Sequence, residues 1–133
     1  MQLSRLVETV EQVRSTTRKI EKVRLLSAFL QQTHGRETAL AASYFAGLLP
    51  QGRIGVGWSV LQQAALAEYH QAHELSLSDL DHAFQEVSEM EGSGSSERRV
   101  AALRQLFARA QPHERAFLSS LLMCRLVVME FRG

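Results

Sequence analysis

Apolar residues recur at intervals of three and four along most of the chain, which is the spacing of one face of an α-helix. The clearest stripe comprises Leu3, Leu6, Val7, Val10 and Val13. We find no alternation of apolar and polar residues long enough to predict a strand. The pattern predicts an all-α fold of about seven helices.

Turn-forming and capping residues set the expected helix boundaries. Helix two should follow the hydroxyl-rich residues 15–17, which suit capping, and carry Ile20, Val23, Leu26 and Leu30 inward. Ser76 and Asp79 have the spacing of a capping box. The other expected helices cover residues 3–13, 36–49 (stopped by Pro50), 58–72 and 78–90, then one from the flexible joint 92–96 to about 110 and one that begins at Pro112.

Two segments 80 residues apart resemble each other. Residues 15–26 and 95–106 share hydroxyls, a basic pair, an apolar residue, a further arginine and a leucine. Each segment leads through a short turn into a second apolar helix. We therefore predict a single domain, residues 1–133, of two pseudo-symmetric helical hairpins joined by an acidic helical insert.

Composition excludes several classes of protein. Hydrophobic residues make up 45% of the 133 residues and charged residues 22%, which excludes disordered and collagen-like chains. The one cysteine, Cys124, excludes an internal disulfide and fits a reducing compartment. The longest apolar run, residues 116–129, contains Arg125 and is too short to span a bilayer, and no signal-type segment opens the chain. A cytoplasmic protein without membrane contact is expected.

The net charge of +1 hides three blocks of opposite sign. Residues 1–66 carry eight basic and four acidic residues, residues 67–97 carry eight acids and no basic residue, and residues 98–133 carry seven basic residues and two acids. This layout favours a surface of which one side meets a polyanion. A chance arrangement in a short chain is the alternative.

Basic residues open both echoed helices, where acids are usual because the helix dipole is positive there. Arg18 and Lys19 occupy one start and Arg98 and Arg99 the other. An anion at such a start would be bound by backbone N–H groups, hydroxyls and cations together. This favours phosphate binding, and the alternative is that the four side chains extend into water.

A glycine-rich loop, residues 50–57, lies between helices three and four. It lacks the Gly-Lys-Ser/Thr ending of a nucleotide-binding P-loop, and no strand precedes it. Arg53 is placed to contact a phosphate. Equally, the loop could be a rigid corner with Trp58 anchored in the core.

The sequence shows no clear combination of side chains typical of a catalytic site, and no catalytic or metal-binding residue is predicted. His70, His73 and Glu74 would share a helical face, which favours a solvated polar surface over a metal site. Cys124 is expected to be a buried apolar residue rather than a nucleophile. Asp79 and Asp81 flank a helix start, which is their usual role.

Three stretches carry a resemblance to a known family: residues 16–22 (Thr-Thr-Arg-Lys-Ile-Glu-Lys), residues 44–58, which contain Gln-Gly-Arg-Ile-Gly-Val-Gly-Trp, and residues 92–96 followed by the arginine-rich helix six. Over most of residues 1–126 the chain resembles the N-terminal DNA-binding domain of ATP-dependent DNA ligases of the bacterial and archaeal type. The resemblance implies an all-helical module that holds nicked duplex DNA by backbone and minor-groove contacts, for nick sealing in replication, repair or recombination.

The resemblance also implies partners, cofactors and contact residues. The partners would be double-stranded DNA and the adenylation and OB domains of the same ligase. ATP and Mg²⁺ would belong to the catalytic domain, with no cofactor in this chain. The implied DNA-binding residues, taken with those at the two helix starts and in the loop, are Thr16, Thr17, Arg18, Lys19, Lys22, Arg53, Ser96, Arg98 and Arg99.

Two departures from the family pattern change the expected activity. The lysines, Lys19 and Lys22, do not stand in a Lys-x-Asp-Gly adenylation motif, so this chain should not ligate by itself. After Leu122 the family's Gly-x-Leu-Arg-x-Gly is absent, which predicts a domain truncated at its C-terminal end, with the apolar surface around Leu126 to Phe131 exposed for self-association.

Two other functions compete with the ligase interpretation. The first is a helical protein-interaction module whose acidic helices four and five and apolar tail dock a partner without nucleic acid. The second, much weaker, is a metal enzyme that uses His70 and His73.

Overall fold

A computed structural model describes residues 1–52, 54–70 and 74–123. Over these ranges the chain forms seven α-helices and no strand, which confirms the all-α prediction. None of these helices is long and apolar enough to cross a membrane. The helices are α1 (Leu3–Arg14), α2 (Lys19–Leu30), α3 (Arg36–Phe45), α4 (Trp58–Ala64), α5 (Leu77–Ser88), α6 (Ser95–Ala108) and α7 (Pro112–Leu122).

Local capping explains the helix starts that were predicted best. At α5 the Asp79 N–H donates to Ser76 Oγ at 3.1 Å, and the Ser76 N–H donates to Asp79 Oδ2 at 2.9 Å. The predicted capping box is therefore confirmed. Helix α7 begins at Pro112 as predicted, and the Gln111 N–H donates to Glu114 Oε1 at 2.9 Å there.

Helix α3 ends at Phe45, four residues before the predicted Leu49. Gly47 has φ 75°, and the Leu48 N–H donates to the Ser43 carbonyl at 2.9 Å while the Gly47 N–H donates to the Tyr44 carbonyl at 3.1 Å. This pair of bonds is a Schellman motif, which satisfies the last carbonyls of a helix when a glycine adopts positive φ. Gly47 therefore ends the helix before Pro50 is reached.

Helix α4 is also shorter than predicted and contains no charged residue. Its last turn tightens, with the Ala67 N–H donating to the Ala64 carbonyl at 3.2 Å. The His70 N–H then donates to the Ala108 carbonyl at 2.6 Å, which draws the chain onto α6. The prediction of an acidic helix four is wrong, because the acids follow Ala64 and lie on and around α5.

The helices form two similar three-helix units, α1–α3 and α5–α7, with α4 between them in sequence. Helix α1 packs on α2 as α5 packs on α6, and α3 packs on α5 as α7 packs on α1. An isolated antiparallel bridge joins Gln2 to Ser76. Its bonds are reciprocal, from the Leu3 N–H to the Leu75 carbonyl (2.8 Å) and from the Leu77 N–H to the Met1 carbonyl (3.0 Å). This reciprocal packing of the two units is the pattern of an internal two-fold axis. Each predicted two-helix hairpin is part of a three-helix unit in the structure.

Buried positions fix the register of α2 and α3 against α6 and α7. The buried residues of α3, Leu40, Ala41, Tyr44 and Phe45, are matched 77 positions later by Phe117, Leu118, Leu121 and Leu122 of α7. Leu26 and Phe29 of α2 are matched in the same way by Leu103 and Leu106 of α6. The predicted offset of 80 is therefore wrong by three residues, because it followed surface hydroxyls and charges rather than the core.

Aromatic rings connect the helices in the core. Phe29 and Phe45 meet edge to face with centroids 5.2 Å apart, and Tyr44 meets Phe84 in the same way at 6.4 Å. These contacts join α2 to α3 and α3 to α5. Trp58 takes no part, since its side chain is 58% exposed, and the interpretation of Trp58 as a core anchor is wrong.

Candidate nucleic-acid interface

The start of α2 places cations and hydroxyls together on the surface. Arg18 occupies the N-cap position and Lys19 the first helical position, and both are exposed. The predicted hydroxyl cap is wrong, because Thr16 Oγ1 instead accepts a bond from the Arg18 N–H at 3.3 Å. Thr17 is exposed and Lys22 is half-buried one turn into the helix.

An acid, Glu21, lies in the first turn of α2 beside the basic residues. Glu21 accepts a bond from Arg24 Nε at 3.1 Å and forms an ion pair with the same guanidinium. Hydrogen bonding from Arg24 holds the pKa of the Glu21 carboxyl below its usual value, and the charges of Arg24 and Arg18 act in the same direction. Arg24 thus compensates the charge of Glu21.

The start of α6 differs from the start of α2. Its first turn consists of Ser95, Ser96 and Glu97, so Arg98 and Arg99 lie in the second turn. The prediction that these two arginines open the helix is wrong, because α6 begins one turn earlier in the echoed segment than α2 does. Ser96 is exposed at the second position of α6.

Both arginines of α6 bind main-chain carbonyls of the preceding turn. Arg98 donates to the Ser93 carbonyl at 3.0 Å and to the Glu91 carbonyl at 2.8 Å. Arg99 donates to the Met90 carbonyl at 2.6 Å, and its guanidinium lies over Gly55 of the glycine-rich loop. The two side chains therefore hold the turn at residues 90–94, and Arg99 brings the glycine-rich loop beside α6.

Arginines of the described ranges fall into two electrostatic classes. Arg24, Arg36 and Arg109 form ion pairs with Glu21, Asp81 and Asp79 respectively. Within those ranges no carboxylate lies within 4.0 Å of the guanidinium groups of the second class, which comprises Arg5, Arg14, Arg18, Arg98, Arg99, Arg104 and Arg115. A carbonyl is a neutral acceptor, so Arg98 and Arg99 are held in place with their charge uncompensated. Arg18 and Arg98, which are exposed, are therefore available to an external anion, while Arg99 is partly buried.

The glycine-rich loop begins at an anchored residue. Gln51 Nε2 donates to Asp81 Oδ1 at 2.8 Å, while Arg36 donates to Asp81 Oδ2 at 2.8 Å. Residues 54–57 then border an apolar groove of about 340 Å³ that also contains Leu49, Leu122 and Met123. Arg53, the predicted phosphate contact of this loop, lies outside the described residues.

Those of the weaker chemical candidates that lie in the described ranges do not assemble a site. His70 follows α4 rather than lying on it, so the predicted histidine face of helix four is wrong. His73, Cys124 and the apolar residues 126–131 lie outside the described residues. No group of three His, Cys, Asp or Glu among residues 1–52, 54–70 and 74–123 could hold a metal ion. Asp79 caps α5 and Asp81 anchors Gln51, so both have structural roles.

Two apolar residues at the start of α2 lie on the surface, contrary to prediction. Ile20 and Val23 were expected to face the core, yet their side chains are 86% and 48% exposed. Leu26 is buried as predicted and Leu30 is partly buried. The first turn of α2 therefore projects beyond the core, and the one available signal was the cluster of cations and hydroxyls around Ile20.

Nearly the whole chain is similar in sequence to known proteins. A family model described as "DNA ligase N terminus" matches residues 59–129. A "Probable DNA ligase" of Sorangium cellulosum is 39% identical over 92% of this chain, one of Anaeromyxobacter sp. (strain Fw109-5) is 36% identical over 99%, and one of Pseudarthrobacter chlorophenolicus is 35% identical over 92%. The chain spans about a quarter of the length of these relatives, namely 23%, 25% and 24%. By its sequence and its helical fold, the chain belongs to the DNA ligase N-terminus family.

Proposed function

We propose that the protein holds nicked duplex DNA for an ATP-dependent DNA ligase and is not catalytic by itself. One observation carries the proposal: in a member of a DNA ligase family, exposed guanidinium groups with no carboxylate within 4.0 Å lie at the N-cap of α2 (Arg18) and in the second turn of α6 (Arg98), in two similar helical units. Duplex DNA presents two phosphate strands along each groove. A pair of related cationic sites suits such a ligand.

Phosphate contacts would provide most of the affinity. Arg18 and Lys19 at one site and Arg98 and Arg99 at the other supply charge, and exposed Thr17 and Ser96 add hydroxyl donors. Thr16, Lys22 and Arg53 complete the proposed set. Such contacts carry little sequence information, so duplexes of different sequence should bind with similar affinity.

The chemistry of nick sealing would belong to adenylation and OB domains beyond these residues. ATP and Mg²⁺ would supply nucleotide activation there. The lysines of this chain do not fit that task, because neither is part of a Lys-x-Asp-Gly motif and both lie at the start of α2 rather than in a cavity. We place this DNA-holding role in the cytoplasm, in replication, repair or recombination.

Titration of a labelled duplex at several salt concentrations tests the proposal. The affinity of the parent should fall steeply with salt, and each lost phosphate contact should lower the slope of log K against log salt by about 0.9. Arg18→Ala and Arg98→Ala should each lower affinity and slope, and the double variant should lower both further. The Glu21→Gln, Arg24→Gln double variant is the control, because it removes an ion pair from the same helix without a change in net charge and should keep the parent's affinity and slope.

Two further measurements distinguish a lost phosphate contact from a damaged fold. Arg98→Lys, which keeps the charge, should retain more affinity than Arg98→Ala, and the helical circular dichroism of all variants should match the parent. Equal affinity of the double variant and the parent, or parent binding that does not depend on salt, would contradict the proposal.

A further inference from the structure

The glycine-rich loop follows α3 in the chain, but residues of the other unit, α5–α7, hold it in place. At the start of the loop, Gln51 Nε2 donates to Asp81 Oδ1 of α5 at 2.8 Å. Further along, the guanidinium of Arg99 on α6 lies over Gly55. The second unit therefore contacts the loop at two points.

The two carboxylate oxygens of Asp81 have different partners. Oδ2 accepts bonds from Arg36 Nη2 at 2.8 Å and from Arg36 Nε at 3.1 Å, while Oδ1 accepts the bond from Gln51. The Arg36 side chain is 67% exposed, and ion pairs of exposed side chains contribute little to stability. The bond from Gln51 has a charged acceptor and is the one that connects α5 to the loop.

Helix packing does not require an acid at this position. Helix α1 packs on α7 as α5 packs on α3, and the buried stripe of α1 matches that of α5 with an offset of 74 residues. At this offset Asp81 corresponds to Val7, which is buried at 2% exposure. An apolar residue thus completes the equivalent contact in the first unit. The acid at position 81 therefore has another role, and its bond to Gln51 indicates which.

We propose that Asp81 is a positioning residue for duplex binding, which acts through Gln51 to fix the start of the glycine-rich loop before DNA arrives. The inference rests on the proposed function, in which Arg53 is the phosphate contact of this loop, and deepens it. Three glycines give the loop many backbone conformations, so fixing its start in the free protein removes an entropic cost from binding. Asp81 does not contact DNA, because phosphates repel a carboxylate.

Two substitutions break the connection in different ways. Gln51→Ala removes the donor without a change in net charge, and Asp81→Asn leaves a single side-chain oxygen for two donors. Each should weaken binding of a labelled duplex by about fivefold, the effect of one lost hydrogen bond to a charged group. The salt slope of Gln51→Ala should equal that of the parent, because no phosphate contact is removed.

Asp79→Asn is the matched control for Asp81→Asn. It makes the same change of charge on the same helix, at an aspartate that is also paired with an arginine but does not contact the loop. Removal of a negative charge by itself favours DNA binding, so the affinity of Asp79→Asn should not fall below the parent's. Weaker binding by Asp81→Asn alone therefore cannot be an effect of charge.

The Arg53→Ala background separates positioning from a general effect on the fold. Arg53→Ala should lower the salt slope by about 0.9, as one phosphate contact is lost. Gln51→Ala should then cause no further loss of affinity, whereas a residue that only stabilises the fold would weaken binding by the same factor in both backgrounds.

Amide hydrogen exchange measures the order of the loop without DNA. The Gly52 N–H donates to the Leu49 carbonyl at 2.9 Å, so its exchange should be slow in the parent. Exchange of this amide should be faster in Gln51→Ala and Asp81→Asn, and equal to the parent's in Asp79→Asn. Helical circular dichroism should be the same in all four proteins.

The outcomes separate the inference from the function on which it rests. If the parent does not bind duplex, the proposed function fails. If the parent binds with a steep salt slope while Gln51→Ala and Asp81→Asn keep its affinity, the positioning role is overturned and the phosphate-binding function stands. An equal loss from Gln51→Ala with and without Arg53 would also overturn the positioning role.

Discussion

At the scale of single residues, the neighbours of an arginine decide its role. Arg99 is close in sequence to the exposed surface of α6, yet its guanidinium is bonded to the Met90 carbonyl and covers Gly55. Gly55 has φ 72°, and a Cβ there would stand 3.1 Å from Arg99 Cζ. Glycine is therefore favoured at this position for two reasons, namely its backbone angle and the close approach of Arg99.

A comparison of two glycines tests this contact. Gly52 has the same φ of 72°, but a Cβ at that position would meet open space out to 4 Å, so Gly52→Ala should cost about 1 kcal/mol in unfolding free energy from backbone strain alone. Gly55→Ala should cost about 2 to 3 kcal/mol, because Arg99 must also move. Urea denaturation measures both.

The double-variant cycle with Arg99→Ala completes that test. In the Arg99→Ala background the cost of Gly55→Ala should fall to that of Gly52→Ala. An unchanged cost in that background would show that Arg99 does not restrict the loop.

At the scale of elements, the ends of the helices determine where side chains point. The capping box at α5 also ties this helix to α6, since Arg109 Nη2 donates to Asp79 Oδ2 at 3.2 Å. Partial burial alone would raise the pKa of Asp79, but hydrogen bonds from Ser76 and the charge of Arg109 outweigh it and hold the pKa below its usual value. A carboxyl with a lowered folded-state pKa adds stability above its unfolded pKa of about 3.9, and that stability is lost as the pH falls through the folded pKa.

Asp79→Asn should therefore have a pH-dependent effect. At pH 7 we expect a loss of about 1 kcal/mol in unfolding free energy, since the variant loses the ion pair with Arg109 and part of the cap. The difference from the parent should shrink as the pH falls below the unfolded pKa of about 3.9 and through the lower folded-state pKa, because the parent carboxyl becomes protonated over that range. Denaturant titrations at pH 7 and pH 3 measure this difference in unfolding free energy. Glu86→Gln on the same helix is the control, and its unfolding free energy should stay within about 0.5 kcal/mol of the parent's. A difference of the same size at both pH values would contradict the charge-based explanation.

At the scale of the whole molecule, two similar units share one core. The α1 stripe of Leu3, Leu6, Val10 and Val13 is matched 74 positions later on α5 by Leu77, Leu80, Phe84 and Val87. Both stripes are buried in the same hydrophobic core. Corresponding positions should then contribute similarly to stability, even though the two surfaces differ.

Leu6→Ala and Leu80→Ala test this equivalence, because both leucines are fully buried. Each should cost about 3 kcal/mol in unfolding free energy, through lost burial and a cavity. Leu48→Ala should cost well under 1 kcal/mol, since that leucine is exposed. A cost for one buried leucine close to that of Leu48 would show that the two units do not contribute equally to the core.

The sequence by itself determined the features that depend on a few neighbouring residues. The apolar stripe of α1, the capping box of Ser76 and Asp79, and the start of α7 at Pro112 each follow from contacts within one or two turns, so reading along the chain was sufficient. The family resemblance rested in the same way on short strings, and the family model and the relatives bear it out.

Only the tertiary structure decided the register between the units, the exposure of Ile20 and Val23, and the partners of Arg98 and Arg99. Each of these features depends on where a distant segment lies. The offset of 77 depends on which residues share the core, and the exposure of Ile20 and Val23 depends on how far α2 projects. The position of Arg99 depends on its contacts with Met90 and Gly55. A periodic pattern specifies which face of a helix is apolar, but burial and electrostatic pairing require a partner that the pattern does not name.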